Sequence, residues 1–394
     1  MTKTMTSTSE INIGLIGAGG RGYLAHHAHL PDAGSRLVAA ADINDRELAL
    51  FREKFGKDTL TTRDYHDILA REDVHAVFIT SPDFLHEEQA VAALEAGKAV
   101  YLEKPMAITT AGCDRILKAA VDNAGRLYLG HNMRHMPFVQ KMKELVDSGA
   151  IGEVKAGWCR HFVGYGGDAY FKDWHADRSK STSLLLQKGA HDIDVLHWVC
   201  GGYSKRVTAM GGLTVYDRIA DKHTPDERGD ASWTFDNWPP LSQKGMNPVM
   251  DVEDLSMVLM QLDNGVFASY QQCHFTPDGW RNYTVIGTEG RIENLGENEV
   301  HMWNRRCHYQ SEGDARFREP MDGGGHGGAD PRIVEEFLRY VRDGGTTKTS
   351  PIAARNAVAT GCAATESLRN GSIPQDIAPV AADAIRYFEQ GKPE

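Results

Sequence analysis

The run Ile11-Asn12-Ile13-Gly14-Leu15-Ile16 breaks into Gly17-x-Gly19-x-x-Gly22 and then becomes helical in character. A short apolar β-type segment followed by this spacing is the sequence form of a strand, a tight turn and a helix N-terminus. Each glycine has its own task there. Gly17 makes the turn, Gly19 lets the backbone approach a pyrophosphate, and Gly22 lets the helix pack closely on the sheet; Gly20 and Arg21 belong to the same loop. A second apolar run, Leu37-Val38-Ala39-Ala40-Ala41, ends on Asp42, at about the separation where a carboxylate binds a ribose diol. That carboxylate would repel a 2′-phosphate, so the expected cofactor is NAD, with NADP disfavoured unless Arg46 compensates.

From residue 11 to about 132 strands and helices alternate, with strands expected at 76–80, 99–102 and 127–130 and helices near 45–55, 84–96 and 109–123. Beyond Asn132 the texture changes. One helix, 138–148, precedes period-two runs at 154–162, 207–216, 255–262, 266–274, 283–286 and 300–303, with Asp263-Asn264-Gly265 and Gly287-Thr288-Glu289-Gly290 as turns. The expected class is therefore α/β. A Rossmann dinucleotide-binding domain with a doubly wound parallel sheet would occupy 1–132, its first ten residues disordered. An α+β domain with a large, mainly antiparallel open-faced sheet would occupy 133–394 and serve substrate binding and oligomerisation. Segments 217–251 and 306–330 are longer than ordinary connections and read either as lids or subunit contacts, or as surface insertions. Two capped helices, begun by Asp330-Pro331 and Ser350-Pro351, close the chain.

Charge narrows the partners. A net charge of −11 over 394 residues, with no basic stripe, gives no footprint for nucleic acid or an anionic membrane. The six cysteines lie far apart without paired spacing, as free thiols in a reducing compartment would. The polar start of the chain and the lack of a long apolar segment make a cytoplasmic location the expectation.

Two places carry residues suited to chemistry. Lys104, in Glu103-Lys104-Pro105, follows a strand of the first domain, at the carboxyl edge where ligands of open α/β sheets bind. A desolvated lysine there can assist proton transfer from a hydroxyl. The second place is Gln187-Lys188-Gly189-Ala190-His191-Asp192, on an expected helix continuing to Trp198, where Gln187, Lys188 and His191 can share a face. His191 is the natural acid/base candidate near neutral pH. Trp174, His175 and Arg178 before this helix, and Trp280, Arg281 and Tyr283 later, could line a sugar site, with Lys188 and Asp192 completing it. No metal is expected: His26, His27 and His29 lack acidic or cysteine partners at ligand spacing.

Taken in order, Gly17-x-Gly19-x-x-Gly22, Thr80-Ser81-Pro82 with His86, Glu103-Lys104-Pro105, Asn132-Met133-Arg134 and Gly189-x-His191-x-x-Asp194 resemble the glucose-fructose oxidoreductase/inositol dehydrogenase/rhizopine-catabolism family over about residues 11–370. The resemblance implies pyridine nucleotide at the junction of two domains and sugars or polyols as substrates. It implies that Thr80, Ser81, Pro82, His86, Glu103, Lys104, Pro105 and Asn132 attend the cofactor, that Pro105 shapes the cofactor turn, and that Lys104 and His191 are the catalytic pair. It also points to homodimers or homotetramers. One departure stands out: many members carry an aspartate four residues before the histidine, and here that position is Gln187, followed by Lys188.

Three functions remain open at this level. The first is an NAD-dependent dehydrogenase acting on a secondary hydroxyl of a sugar, glycoside or cyclitol, with Lys104 or His191 taking the proton. The second is an NAD-dependent glycosidase working by transient 3-keto oxidation and elimination, which the altered Gln187/Lys188 pair keeps open. The third is a nucleotide-binding regulator without chemistry. Accumulating NADH separates the first from the second.

Overall fold

The computed structural model describes residues 10–224, 231, 234–320, 323 and 325–389. The expectation of a disordered start falls on residues outside that set except for Glu10, which forms an ion pair with Arg36. Two compact units are present. The first comprises 1–135, 323–355 and 380–394; the second comprises 136–322 and 356–379.

Among the described residues, the first unit is built on six strands, β1 (Ile11–Ile16), β2 (Ser35–Ala41), β3 (Leu60–Thr62), β4 (Ala76–Ile79), β5 (Ala99–Leu102) and β6 (Leu127–Leu129), in the order β3-β2-β1-β4-β5-β6. Every pairing is parallel. β4 and β5 are buried along their whole length, which is why they read as continuous apolar runs rather than alternations. Strand order reverses between β1 and β4, the switch point at which such sheets bind ligands.

The first break between the units falls between His135 and Met136, and the chain does not stay in the second unit from there to its end. The amphipathic helix Ala329–Asp343 buries Ile333, Val334, Phe337, Leu338 and Val341 in the core of the first unit. Phe337 meets Phe78 and Tyr101 edge-on, with ring centroids 5.1 and 5.5 Å apart. A further helix, Ala382–Glu389, also belongs to this unit.

Among the described residues, the second unit carries nine strands: β7 (Val154–Phe162), β8 (Ser204–Gly212), β9 (Leu255–Leu262), β10 (Phe267–Cys273), β11 (Trp280–Gly287), β12 (Arg291–Asn294), β13 (Glu299–Trp303), β14 (Ala315–Arg318) and β15 (Gln375–Asp376). Their order is β14-β13-β12-β11-β7-β10-β9-β8-β15. The β7–β10 pair is parallel and the other pairings are antiparallel. Helices Pro137–Asp147 and Gly189–Cys200 pack on one face. The other face leaves Met210, Met257, Leu259 and Phe267 largely exposed.

The alternation expected over 207–216 ends early, at Gly212. The carboxylate of Asp254 accepts the backbone N–H groups of Thr214, Val215 and Tyr216 at 2.9, 2.7 and 3.1 Å, which draws that stretch off the ladder. Among the described residues, no helix is long and apolar enough to cross a membrane.

Candidate functional site

In the first unit the strand ends deliver the residues expected to hold a dinucleotide. Gly17 follows β1 with φ of +88°, and a Cβ there would stand 2.7 Å from Ser81 N, so only glycine fits the turn. Thr80 Oγ1, after β4, donates to Gly17 O at 2.7 Å and clasps the same turn. A Cβ on Gly22 would stand 2.3 Å from Gly17 O. Gly20, at φ +51°, has no atom within 4 Å of that position, so its backbone is open to a ligand.

Asp42, after β2, turns its carboxylate onto the loop, where Oδ2 accepts the N–H of Ala18 at 2.7 Å and of Gly19 at 3.3 Å. Oδ1 accepts from Asn44 N at 2.8 Å. His86, buried on the helix His86–Glu95, sets Nδ1 2.7 Å from Pro105 O and Nε2 2.9 Å from Ser81 O, linking the segments that follow β4 and β5. Pro82 precedes the 3₁₀ turn Asp83–Leu85 that leads into this helix. Glu103 accepts the Lys104 backbone N–H at 2.7 Å, and Lys104 is half-buried just past β5, followed by a cis bond to Pro105.

Glu103 also reaches Arg21, whose Nε lies 2.6 Å from Oε1. The same guanidinium is held by Asp330, which in turn accepts from Asn132 Nδ2 at 2.8 Å and lies 3.2 Å from His326 Nδ1. Burial opposes the charge on Arg21, but Glu103 and Asp330 outweigh it and keep the guanidinium protonated. Asp330 belongs to this constellation although Asp330-Pro331 reads in the sequence only as the start of a helix.

In the second unit the strand register lays two polar rows beneath the helix Gly189–Cys200. His161 of β7 pairs with Gln272 of β10 on one side and Arg281 of β11 on the other; Cys159 pairs likewise with Tyr270 and Tyr283. Asp192, with no exposure, enters these rows from the helix. Its Oδ2 lies 2.9 Å from His161 Nδ1, and its Oδ1 accepts from Tyr283 Oη and lies 2.8 Å from Arg281 Nε, an ion pair whose N–H is not aligned for a hydrogen bond. Burial raises the Asp192 carboxyl, yet Arg281 and His161 hold it well below the usual carboxylate range. His161 is pushed down to about 3 by burial, then by Arg281, and is neutral at ordinary pH.

Lys188 sits at a joint. The expected continuous helix is instead Leu184–Gln187, capped by the Ser183 side chain, followed by Gly189–Cys200. At the joint the chain comes so close to β10 that a Cβ on Gly189 would stand 3.0 Å from the Tyr270 ring. Lys188 Nζ donates to Tyr165 Oη at 3.2 Å and lies 5.6 Å from the ring centroids of Tyr165 and Tyr170. His191, on the first turn after the joint, is buried.

Trp174 and His175 stack at 3.8 Å, and His175 meets Tyr170 edge-on at 5.0 Å, so this pair joins the aromatic wall around Lys188. Arg178 is tied elsewhere: Nε lies 3.0 Å from Asp251 Oδ2. Trp280 is partly buried at the start of β11, whereas Tyr283 is fully buried below Asp192. Tyr165, Tyr170, His161 and His274 carry no motif in the sequence; only the alternation of the runs 154–162 and 266–274, which turns His161 and His274 to the same side as their apolar neighbours, gives a signal.

Residues 11–131 match the model of an oxidoreductase family with an NAD-binding Rossmann fold, and residues 139–293 match the GFO/IDH/MocA C-terminal domain. Inositol 2-dehydrogenase of Salmonella typhimurium is 31% identical over 190 residues, 48% of this chain and 53% of that enzyme, so the match spans about half its length. Levoglucosan dehydrogenase of Pseudarthrobacter phenanthrenivorans is 26% identical over 385 residues, covering 86% of this chain and 92% of that enzyme. A solved structure of levoglucosan dehydrogenase in complex with NADH and L-sorbose superposes with a TM-score of 0.78 at 23% identity, covering 95% of this chain and all of that one.

Proposed function

We propose, for a chain that belongs to the Gfo/Idh/MocA family of NAD-binding oxidoreductases, that it oxidises a secondary hydroxyl of a sugar, glycoside or cyclitol with NAD. The observation that carries this reading is the convergence of five strand ends in the first unit. The Gly17 turn, Asp42, Thr80, Lys104 and Asn132 follow β1, β2, β4, β5 and β6 respectively.

The residues present fit a dinucleotide. The open backbone at Gly20 suits a pyrophosphate, and Asp42 suits a ribose diol. Thr80, Ser81, Pro82, His86 and Pro105 would shape the nicotinamide side, and Arg21 fixes the loop through Glu103 and Asp330. When bound, NAD supplies the hydride acceptor.

The chain's own part is to bind the substrate and manage its proton. Lys104 and His191 assist removal of the hydroxyl proton, since an alkoxide expels hydride more readily than an alcohol. Trp174, His175 and Trp280 offer flat faces to sugar C–H groups, and Arg281 and Lys188 meet the hydroxyls. Asp192, itself held by Tyr283, keeps Arg281 and His161 in place. Two named relatives act on a cyclitol and an anhydrosugar, which supports this substrate class. A small-molecule substrate, a cytoplasmic location and a homo-oligomer belong to the same proposal.

The test is a panel of cyclitols, pyranoses and glycosides with NAD, followed by Lys104→Met and His191→Asn. Each variant should lower kcat by a factor of about 10²–10⁴. NAD binding, measured by fluorescence quenching, should persist in Lys104→Met. Full activity in both variants would remove the two residues from the chemistry.

A further inference from the structure

We propose that Lys188 is the base at which the proton of the substrate hydroxyl comes to rest. The proposal builds on the dehydrogenase reading and names a third participant in it.

Lys188 is 8% exposed, and among the described residues no carboxylate lies within ion-pair distance of Nζ. Its surroundings are the Tyr165 hydroxyl and the faces of the Tyr165 and Tyr170 rings. Beyond these two tyrosines, the charged and titratable groups around it come from several elements: Asp192 on the helix that follows it, Arg281 on β11, His161 on β7, His274 just past β10, and His175 beside Tyr170. Asp192, the one negative charge among these, is already met by Arg281, His161 and Tyr283. His161 is held neutral, and His274, fully buried with neither ring nitrogen hydrogen-bonded among the described residues, is pushed well below its ordinary range by burial, then by His161 and Lys188. Arg281 adds a positive charge that cannot be discharged.

A lysine so placed has two tyrosine rings and one hydroxyl to steady its ammonium, against burial and a guanidinium that oppose it. The result brings Nζ down to about 7. A neutral amine at neutral pH is a competent proton acceptor, and the neighbouring Gln187 amide is not.

The step balances simply. The O–H bond of the substrate breaks and its proton joins the Nζ lone pair, converting the neutral amine to ammonium. The adjacent C–H bond breaks with its electron pair passing to oxidised NAD, and the C=O bond forms. The alcohol is oxidised and NAD reduced. The proton then has an exit along the hydrogen bond to Tyr165, a partly exposed side chain.

The experiment compares the wild type with Lys188→Arg, Lys188→Met and Lys188→Ala on the best substrate of the panel. In the wild type kcat/KM should fall as pH drops through about 7. Arg and Met should both lower kcat by about 10²–10⁴-fold and abolish that limb. Lys188→Ala should regain activity with added ethylamine but not with guanidinium. A readout independent of turnover is the ¹³C-dimethyl-lysine NMR spectrum. One resonance should titrate near 7 and be missing from Lys188→Arg, whose circular dichroism should match the wild type.

Lys188→Arg with wild-type kcat would overturn the proposal, because a fixed cation would then suffice. So would an unchanged acid limb in the variants, or an Nζ that titrates in the ordinary lysine range. A wild type that reduces no NAD on any substrate overturns the dehydrogenase reading itself and this proposal with it, whereas an active wild type with indifferent Lys188 variants overturns this proposal alone.

Discussion

Asp330 grips both terminal nitrogens of Arg21, with Oδ2 2.8 Å from Nη1 and Oδ1 3.3 Å from Nη2, and so pins the glycine loop to a residue 309 positions away. Burial would raise this carboxyl, but the hydrogen bonds from His326 and Arg21 hold it well below the ordinary range. Asp330→Asn should therefore destabilise the protein by about 1–3 kcal/mol at pH 7. A carboxyl with a depressed folded-state pKa contributes above its unfolded value and loses that contribution as pH falls toward the folded one. The gap between wild type and variant in urea unfolding should close as pH drops below about 4. A gap that persists undiminished at pH 2 would contradict this account of Arg21.

Lys188 makes the opposite prediction for stability. Its folded-state pKa, about 7, lies below the unfolded value near 10.4. The unfolded chain thus binds the extra proton between these values, and burial of Lys188 penalises the fold fully below about 7 and not at all above about 10.5. Lys188→Met removes the penalty. The variant should be more stable than the wild type by a few kcal/mol at pH 6, with the advantage shrinking as pH rises to 10. Thermal unfolding across that range is the measurement. A Met variant less stable at every pH would show that the lysine is there for structure.

The sequence alone revealed the first unit's site well and the second's poorly, for a physical reason. Gly17 and Thr80 directly follow a strand, and Lys104 and Asn132 come shortly after one, so a local pattern locates them. The helix Ala329–Asp343 shows an apolar stripe in sequence, but a stripe states that a face is buried, not against which sheet. Asp330 was hidden by the same ambiguity. In the second unit, His161, Gln272 and Arg281 become neighbours only through the register of β7 with β10 and β11, pairings separated by more than a hundred residues of chain. The joint at Lys188 was missed because helical spacing continues across it, while the close approach of Gly189 to Tyr270 is a tertiary fact.

Asp42, whose carboxylate accepts the amides of Ala18 and Gly19, is expected to set the cofactor preference. A 2′-phosphate brought beside it would be repelled, so NAD should bind at least tenfold more tightly than NADP. Asp42→Ser should narrow that ratio and also weaken NAD, because the loop loses its acceptor. Calorimetric titration of both nucleotides checks this; equal affinity of the wild type for the two would refute it.

The open face of the second sheet sets Met257 beside Met210 and Leu259 beside Thr208 in register, with Phe267 on the neighbouring strand. With Leu259 and Phe267 each 63% exposed, a second copy of the chain is the expected cover. Light scattering at micromolar concentration should show a dimer or tetramer, and the double substitution Leu259→Glu, Phe267→Glu should yield monomers that keep their circular dichroism. A monomeric wild type would show that the face has no such role.

Net transfer of hydride from a secondary hydroxyl to NAD is read out by following NADH absorbance and keto product together in one reaction with each sugar, glycoside and cyclitol. The prediction is that NADH accumulates mole for mole with the keto product of at least one compound. Release of an aglycone with no accumulating NADH, or no reaction across the whole panel, would contradict it.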